Sequence, residues 1–304
     1  MSHIVVMGSI NMDLVVRAPR HPEPGETILG SEFHTFPGGK GANQAVACAR
    51  LGAGVKMVGR LGSDAFGSAL LQTLARDGVD TAYIAEDERA ATGVALITVV
   101  ASGQNTIVVA SGANALVTGE QILSATAVFD DASVLLLQLE CPMAAVEQAI
   151  QLAKQHDIPV VLNPAPAQRL GREFLTHIDY LIPNESELAL LAGSGSSTAL
   201  EVAARGLQNE GVKRLIVTLG EKGVFVLEAG RKTYLKAHRV PVVDTTAAGD
   251  AFVGAFAVAL TAQHSTIEAA QWGNAAGALA VTRMGAQPSL PARAELDAFL
   301  AEGS

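Results

Sequence analysis

Residues 134–163 read VLLLQLECPMAAVEQAIQLAKQHDIPVVLN, and this run decides the fold. Val134–Leu139 is a largely apolar stretch of strand length, Met143–His156 carries apolar residues at helical spacing, and Pro159–Leu162 is apolar again before Asn163. Strands without polar alternation are buried on both faces, and two of them joined through a helix form a parallel βαβ unit. Such units cross over right-handedly and set helices on both faces of one sheet. The alternation continues outward: strands at Ile4–Met7, Val55–Leu61, Tyr180–Ile182 and Arg214–Thr218, and helices at Asp64–Arg76, Glu185–Ala192, Thr198–Asn209 and about Thr266–Arg283. Strand Val224–Glu228 returns as a hairpin, and Gly193–Ser197 reads as a polar surface loop. The fold expected is an α/β, Rossmann-like parallel-sheet sandwich. Without a repeat or a linker, residues 1–304 are kept as a single domain.

Two pairs of segments break this order. Leu14–Arg17 and Thr27–Phe36 flank the turn cluster Pro19–Gly25, while Thr92–Val100 and Gln104–Ala110 flank Ala101-Ser102-Gly103 as a hairpin. They are read as a small sheet inserted at about 14–36 and 92–110, a lid or pairing surface, with an edge extension of the main sheet as the alternative. A small sheet cannot bury both faces alone, so a homodimer formed through the lid is expected.

With 304 residues and 49% hydrophobic content the chain builds a large core. Its 21 basic and 30 acidic residues leave a net charge of −9, which argues against a nucleic-acid partner. Cys48 and Cys141 make no disulfide framework and fit a reducing compartment. The N-terminus lacks a signal-peptide pattern, and no run of about 18 apolar residues suits a membrane. The expected location is cytoplasmic. Seven histidines lie scattered without metal spacing.

Chemistry-bearing residues collect at the C-terminal ends of strands, where open α/β sheets bind ligands. Asn11 and Asp13 follow the first strand, Glu140 and Asn163 end two others, and Asn184, Glu187 and Thr218 come later. Phe36-Pro37-Gly38-Gly39-Lys40-Gly41-Ala42-Asn43 leads into a helix but fails the Walker pattern, because Gly41 follows Lys40. Lys40 and Asn43 there either clasp a polyhydroxylated ligand or belong to a flexible loop with a solvated lysine. In Val242–Phe256 a strand-like run passes through small residues into a helix starting near Ala247. The first amides of such a helix attract phosphate or developing negative charge, and Asp250 in the first turn can take a hydroxyl proton. The competing reading is an ordinary strand-to-helix connection, with Asp244 near a cap and Asp250 complementing the helix dipole.

Taken together, these segments resemble the ribokinase-like sugar kinases of the PfkB carbohydrate kinase family, nearly end to end. Gly38–Asn43 is similar to the family's amino-terminal signature, and Asp244–Phe252 to its carboxy-terminal one. Gly8–Asp13, Asn163–Ala167 and Gly285–Ser289 resemble the ribokinase branch. The resemblance implies a ribokinase-like fold and ATP-dependent phosphorylation of D-ribose at its 5-hydroxyl. It assigns the sugar to Asn11, Asp13, Gly39, Lys40, Asn43 and Glu140, the base to Asp250, and an anion hole to the amides of Ala247, Ala248, Gly249 and Asp250. It assigns ATP to Asn184, Thr218, Gly220, Gly223, Gly249 and Asn274, and links Glu187 with Asn184 to Mg2+ and phosphate. A monovalent cation, K+, would fall to Asp244, Thr246, Ala280, Arg283, Gly285 and Ser289. A deoxyribokinase or nucleoside kinase is the nearest alternative. A silent sugar-binding sensor is disfavoured by retention of Asp250, and an NAD-dependent dehydrogenase by the missing G-x-G-x-x-G after the first strand.

Overall fold

The computed structural model describes residues 2–193 and 198–302, so most of the expected polar loop, Ser194–Ser197, lies outside the described residues. The strands are β1 His3–Met7, β2 Asn11–Ala18, β3 Glu32–Gly38, β4 Val55–Gly62, β5 Val79–Asp87, β6 Gly93–Val100 and β7 Asn105–Ala110. They continue as β8 Ala132–Leu137, β9 Val160–Leu162, β10 Tyr180–Leu181, β11 Arg214–Thr218, β12 Val224–Glu228 and β13 Arg231–Leu235. Nine of them form one sheet in the order β13-β12-β11-β10-β9-β8-β1-β4-β5. From β11 to β5 every pairing is parallel, and only β12 and β13 run antiparallel at one edge.

Alternation within the apolar strands divides the core between the two faces. Ile4, Val6, Val134 and Leu136 pack with helices Lys40–Arg50, Ala248–Thr261 and Thr266–Ala280. Val5, Met7, Leu135 and Leu137 pack on the opposite face with helices Met143–Gln155 and Leu200–Asn209. Period-two side-chain direction explains the division. Among the described residues no helix is long and apolar enough to cross a membrane.

The four irregular segments make a separate sheet in the order β3-β2-β6-β7. The strands reach nearer the main sheet than the sequence pattern implied, because β2 begins at Asn11 and β3 ends at Gly38. Register pairs Val16 with Phe33, Leu14 with Leu96, and Leu96 with Val108, so these residues share one face, opposite to Asp13. That face is open: Phe33 is 61% exposed and Val108 65%.

Helices Lys40–Arg50 and Ala248–Thr261 cross closely. A methyl group on Gly254 would sit 2.5 Å from Ala47 Cβ, and Cys48 Sγ donates to the Gly254 carbonyl at 3.5 Å. Asp250 and Asn43 each lie one turn before this contact on their own helix, which brings the two helix starts to one place.

Candidate active site

In the main sheet β1 lies between β8 and β4, so the strand order turns at the β1–β8 boundary. A crevice at the carboxyl ends of the strands opens at such a switch point. Ser9 leaves β1 there, and Glu140 leaves β8. The Ser9 hydroxyl donates to Glu140 Oε2, which also accepts from the Lys40 amide at 3.3 Å. One carboxylate oxygen thus caps the helix that starts at Lys40. Gly39, before that start, has φ 88°, and a Cβ on it would come 2.7 Å from the Asn11 nitrogen, so glycine is required by both conformation and space.

The second helix starts at Ala248 behind Ala247, whose φ of 58° puts a non-glycine residue in the left-handed region. Holding it there costs on the order of 1–3 kcal/mol. The turn points the helix's first amides outward: among the described residues no backbone carbonyl accepts from the amides of Gly249 or Asp250. Asp250 is only 7% exposed and accepts from Asn43 Nδ2 on Oδ2 and from Gln44 Nε2 on Oδ1, each at 2.9 Å. Burial pushes its carboxyl up from the ordinary value, while Lys40 and the two amides pull it down. Burial alone would depress Lys40, yet Asp250, Glu140, Glu187 and Asp13 together carry it above its usual range. Lys40 is therefore a fixed positive charge in a cavity of about 230 Å³ that also takes in Asp250, Gly249, Ala247, Asn184, Glu187 and Thr218.

Asn11 and Asp13 stand at the root of the lid, on β2. Asp13 is pushed up to about 7, first by burial and then by the Glu140 and Asp250 carboxylates, with Lys40 opposing. Asn114 donates to Asn11 Oδ1 at 2.7 Å while its own Oδ1 accepts from the Ile10 amide at 2.9 Å. This fixes Asn11 so that its amide group, rather than its carbonyl, is left for a ligand. Asn43 Oδ1 is buried without a partner, an acceptor that a ligand hydroxyl would satisfy.

Asn184 caps the short helix Glu185–Leu191 in a capping box with Glu187, whose Oε2 accepts from the Asn184 amide at 2.8 Å. Burial raises the Glu187 carboxyl. Among the described residues no cluster of three or more His, Cys, Asp or Glu forms a protein-only metal cage. The donors present instead suit Mg2+ carried on phosphate oxygens with one nearby carboxylate. Gly220 and Gly223 shape the turn after Thr218, and a Cβ on Gly223 would meet the Leu235 carbonyl at 2.0 Å. Asn274 does not line the Asp250 cavity. It donates to the Lys236 carbonyl at 2.8 Å and borders a second cavity of about 520 Å³, shared with Tyr234, His238 and Trp272.

Asp244 binds the two connections that carry the remaining predicted residues. Its Oδ1 accepts from the Thr246 amide at 2.9 Å and hydroxyl at 2.6 Å, and its Oδ2 from the Gly285 amide at 2.8 Å. Burial would raise this carboxyl, but those donors and Arg17 hold it below the ordinary range. Ser289 donates to Ala286, the Ala280 carbonyl accepts from the Arg283 amide, and Arg50 reaches the Gln287 carbonyl at 2.6 Å. The Arg283 guanidinium pairs with Glu295, leaving its carbonyl as the group available to a cation. An oxygen-only set with a single carboxylate fits a hard monovalent cation.

Gln44, Gln138 and Asn114 were not singled out in the sequence. The signal for Gln138 is a polar residue inside the apolar run of β8 and its extension, since such a group is buried only with partners.

A profile of the pfkB family carbohydrate kinases matches residues 1–293. The chain is 43% identical over 300 residues to a ribokinase of Haemophilus influenzae, covering 98% of each. It is 37% identical over 301 residues to a deoxyribokinase of Salmonella typhi, again covering 98% of each. The solved structure of Arabidopsis thaliana ribokinase complexed with ribose and ATP matches with a TM-score of 0.92 at 35% identity, over 99% of each chain. A parallel sheet with a small separate sheet, a buried aspartate at a helix start and a family match over nearly the whole length agree: the chain belongs to the pfkB family of carbohydrate kinases.

Proposed function

We propose that this protein transfers the γ-phosphoryl group of ATP to the 5-hydroxyl of D-ribose, giving D-ribose 5-phosphate and ADP. The observation that carries this reading is Asp250, buried between Asn43 and Gln44 in the same cavity as Lys40 and beside free helix-terminal amides. Phosphoryl transfer needs positioning and charge stabilisation more than covalent chemistry. In this reading Asp250 accepts the proton of the 5-hydroxyl, and the amides of Ala247, Gly249 and Asp250 receive the charge of the transferred group, with that of Ala248 shared with the Thr245 carbonyl at 3.3 Å. Asn11, Asp13, Gly39, Lys40, Asn43 and Glu140 hold the sugar. Asn184, Thr218, Gly220 and Gly223 hold the phosphates, and Asn274 lies towards the base. Mg2+ would be held by ATP oxygens near Glu187 and would neutralise their charge. K+ would be held by Asp244, Thr246, Ser289 and the carbonyls of Ala280, Arg283 and Gly285, bracing the turn at Ala247. The open apolar face of the lid, with Phe33, Leu96 and Val108, favours a homodimer through that sheet.

Asp250→Asn should fold normally and lose roughly 10² to 10⁴ in kcat. Steady-state kinetics beside a circular dichroism spectrum decides this, and near-normal turnover in the folded variant removes the assignment. Ribose should exceed 2-deoxyribose, fructose and adenosine in kcat/KM on one preparation. A site built to bond a hydroxyl leaves buried groups unpaired when that hydroxyl is missing, a penalty that reaches ~10⁴. Equal or better use of 2-deoxyribose or adenosine would keep the family and discard the ribose reading. Rates in potassium chloride should exceed those in tetramethylammonium chloride severalfold; identical rates would exclude the cation. Light scattering at micromolar concentration should report twice the 31.3 kDa chain mass, and a monomer would refute the lid-mediated dimer.

A further inference from the structure

Asp250 is held by more than the groups that face the ligand cavity. Gln44, fully buried, donates from Nε2 to Asp250 Oδ1 at 2.9 Å and to Asn163 Oδ1 at 3.2 Å. Asn163 is itself turned by its own amide, which donates to the Ile182 carbonyl at 3.0 Å and leaves Oδ1 for Gln44. On the other side Gln44 Oε1 accepts from Gln138 Nε2 at 2.6 Å. Gln138, 1% exposed on the extension of β8, cannot swing away, because Gly8 packs against its Oε1 so tightly that a Cβ there would lie 1.9 Å off. Asn163, fixed from behind by the Ile182 carbonyl, dictates which end of the Gln44 amide points at the aspartate, and Gln138, whose own Oε1 has no hydrogen-bond partner among the described residues, adds a tightly packed donor to Gln44 Oε1. Reversing Gln44 would set its one carbonyl oxygen against two acceptors, Asp250 Oδ1 and Asn163 Oδ1, and its amide group against that of Gln138.

We infer that Gln44, locked by Gln138 and Asn163, is the positioning residue of Asp250, keeping its carboxylate ionised and its plane turned to the substrate hydroxyl. The inference rests on the reading of Asp250 as the base and deepens it. Asn43 supplies the second donor, but from a residue whose Oδ1 remains open to ligand, whereas Gln44 is fully buried and spends both Nε2 hydrogens on Asp250 and Asn163. The charged groups facing Asp250 are Lys40, Glu140, Asp13 and Glu187, and none of them contacts Gln44 through a hydrogen bond. Removing Gln44 therefore takes away carboxylate stabilisation without altering the surrounding charges.

The test is the pH dependence of kcat between pH 5 and 9 in the wild type and in the uncharged variants Gln44→Met and Gln44→Leu, with Gln138→Met as a variant outside the site. The loss of a donor to a charged acceptor should move the acid limb of kcat upward by about one pH unit, roughly tenfold in rate on that limb. KM for ribose and ATP should stay within about twofold. Gln138→Met should shift the limb in the same direction by less, because Gln44 keeps its place but loses its orientation. A folded Gln44 variant with a uniform fall in kcat and an unmoved limb would show packing alone and overturn the inference. If Gln44→Met does not fold, Gln44→Leu and Gln138→Met carry the decision, and an unmoved limb in both is the same refutation. Near-normal turnover in Asp250→Asn would instead remove the base itself, so the two failures are told apart.

Discussion

A carboxylate buried where two helices begin is the constraint from which the rest of the site follows. Taken out of water, Asp250 would be held neutral, and a neutral acid takes no proton from a hydroxyl. The surroundings answer with one half-buried lysine and two side-chain amides, all from the first five residues of helix Lys40–Arg50. Three further carboxylates, Asp13, Glu140 and Glu187, crowd the same space and draw the Lys40 pKa upward, so its charge is secured by the groups it neutralises. The arrangement is costly to the fold. Asp13 has a pKa of about 7 in the folded chain against 3.8 ordinarily. Its contribution therefore favours the fold below 3.8 and is lost as pH rises through about 7. Stability is given up near neutrality in return for a charged cleft, as expected where function and folding compete.

Much of this was legible in the chain. The parallel core of the main sheet follows from apolar runs that end in polar residues, and the hairpin at Ala101-Ser102-Gly103 follows from turn chemistry. What escaped has physical causes. β5 has only one neighbour, and its burial is mixed, so neither alternation nor a continuous apolar run marks it. β13, reading RKTYL, is a charged edge strand held by β12 alone. The helix Arg293–Glu302 buries few side chains, so its pattern is faint.

In the site, residues with chemistry of their own, such as Asp250, Lys40 and Asp13, declare themselves by type and place. Gln44 and Asn114 do not, because an amide's contribution depends on which end faces which neighbour. That orientation is fixed by residues distant in sequence: Gln138 is 94 positions from Gln44, and Asn114 is 104 from Ile10. Trp272 shows the same limit. It leans on the core, lies beneath the Arg293 guanidinium at 4.7 Å and borders the larger cavity.

Gly254 touches no ligand group, yet it sits where the helices that carry Asp250 and Asn43 press against each other, with Ala47 opposite. The separation between base and donor is therefore a spacing inherited from bare backbone meeting a methyl group, and hydrogen bonds only report it. A spacer made of close-packed atoms is stiffer than any polar contact, since dispersion wells steepen sharply on compression. The tolerance of the reacting geometry is thus machined one helical turn away from it, by the smallest side chains in the protein.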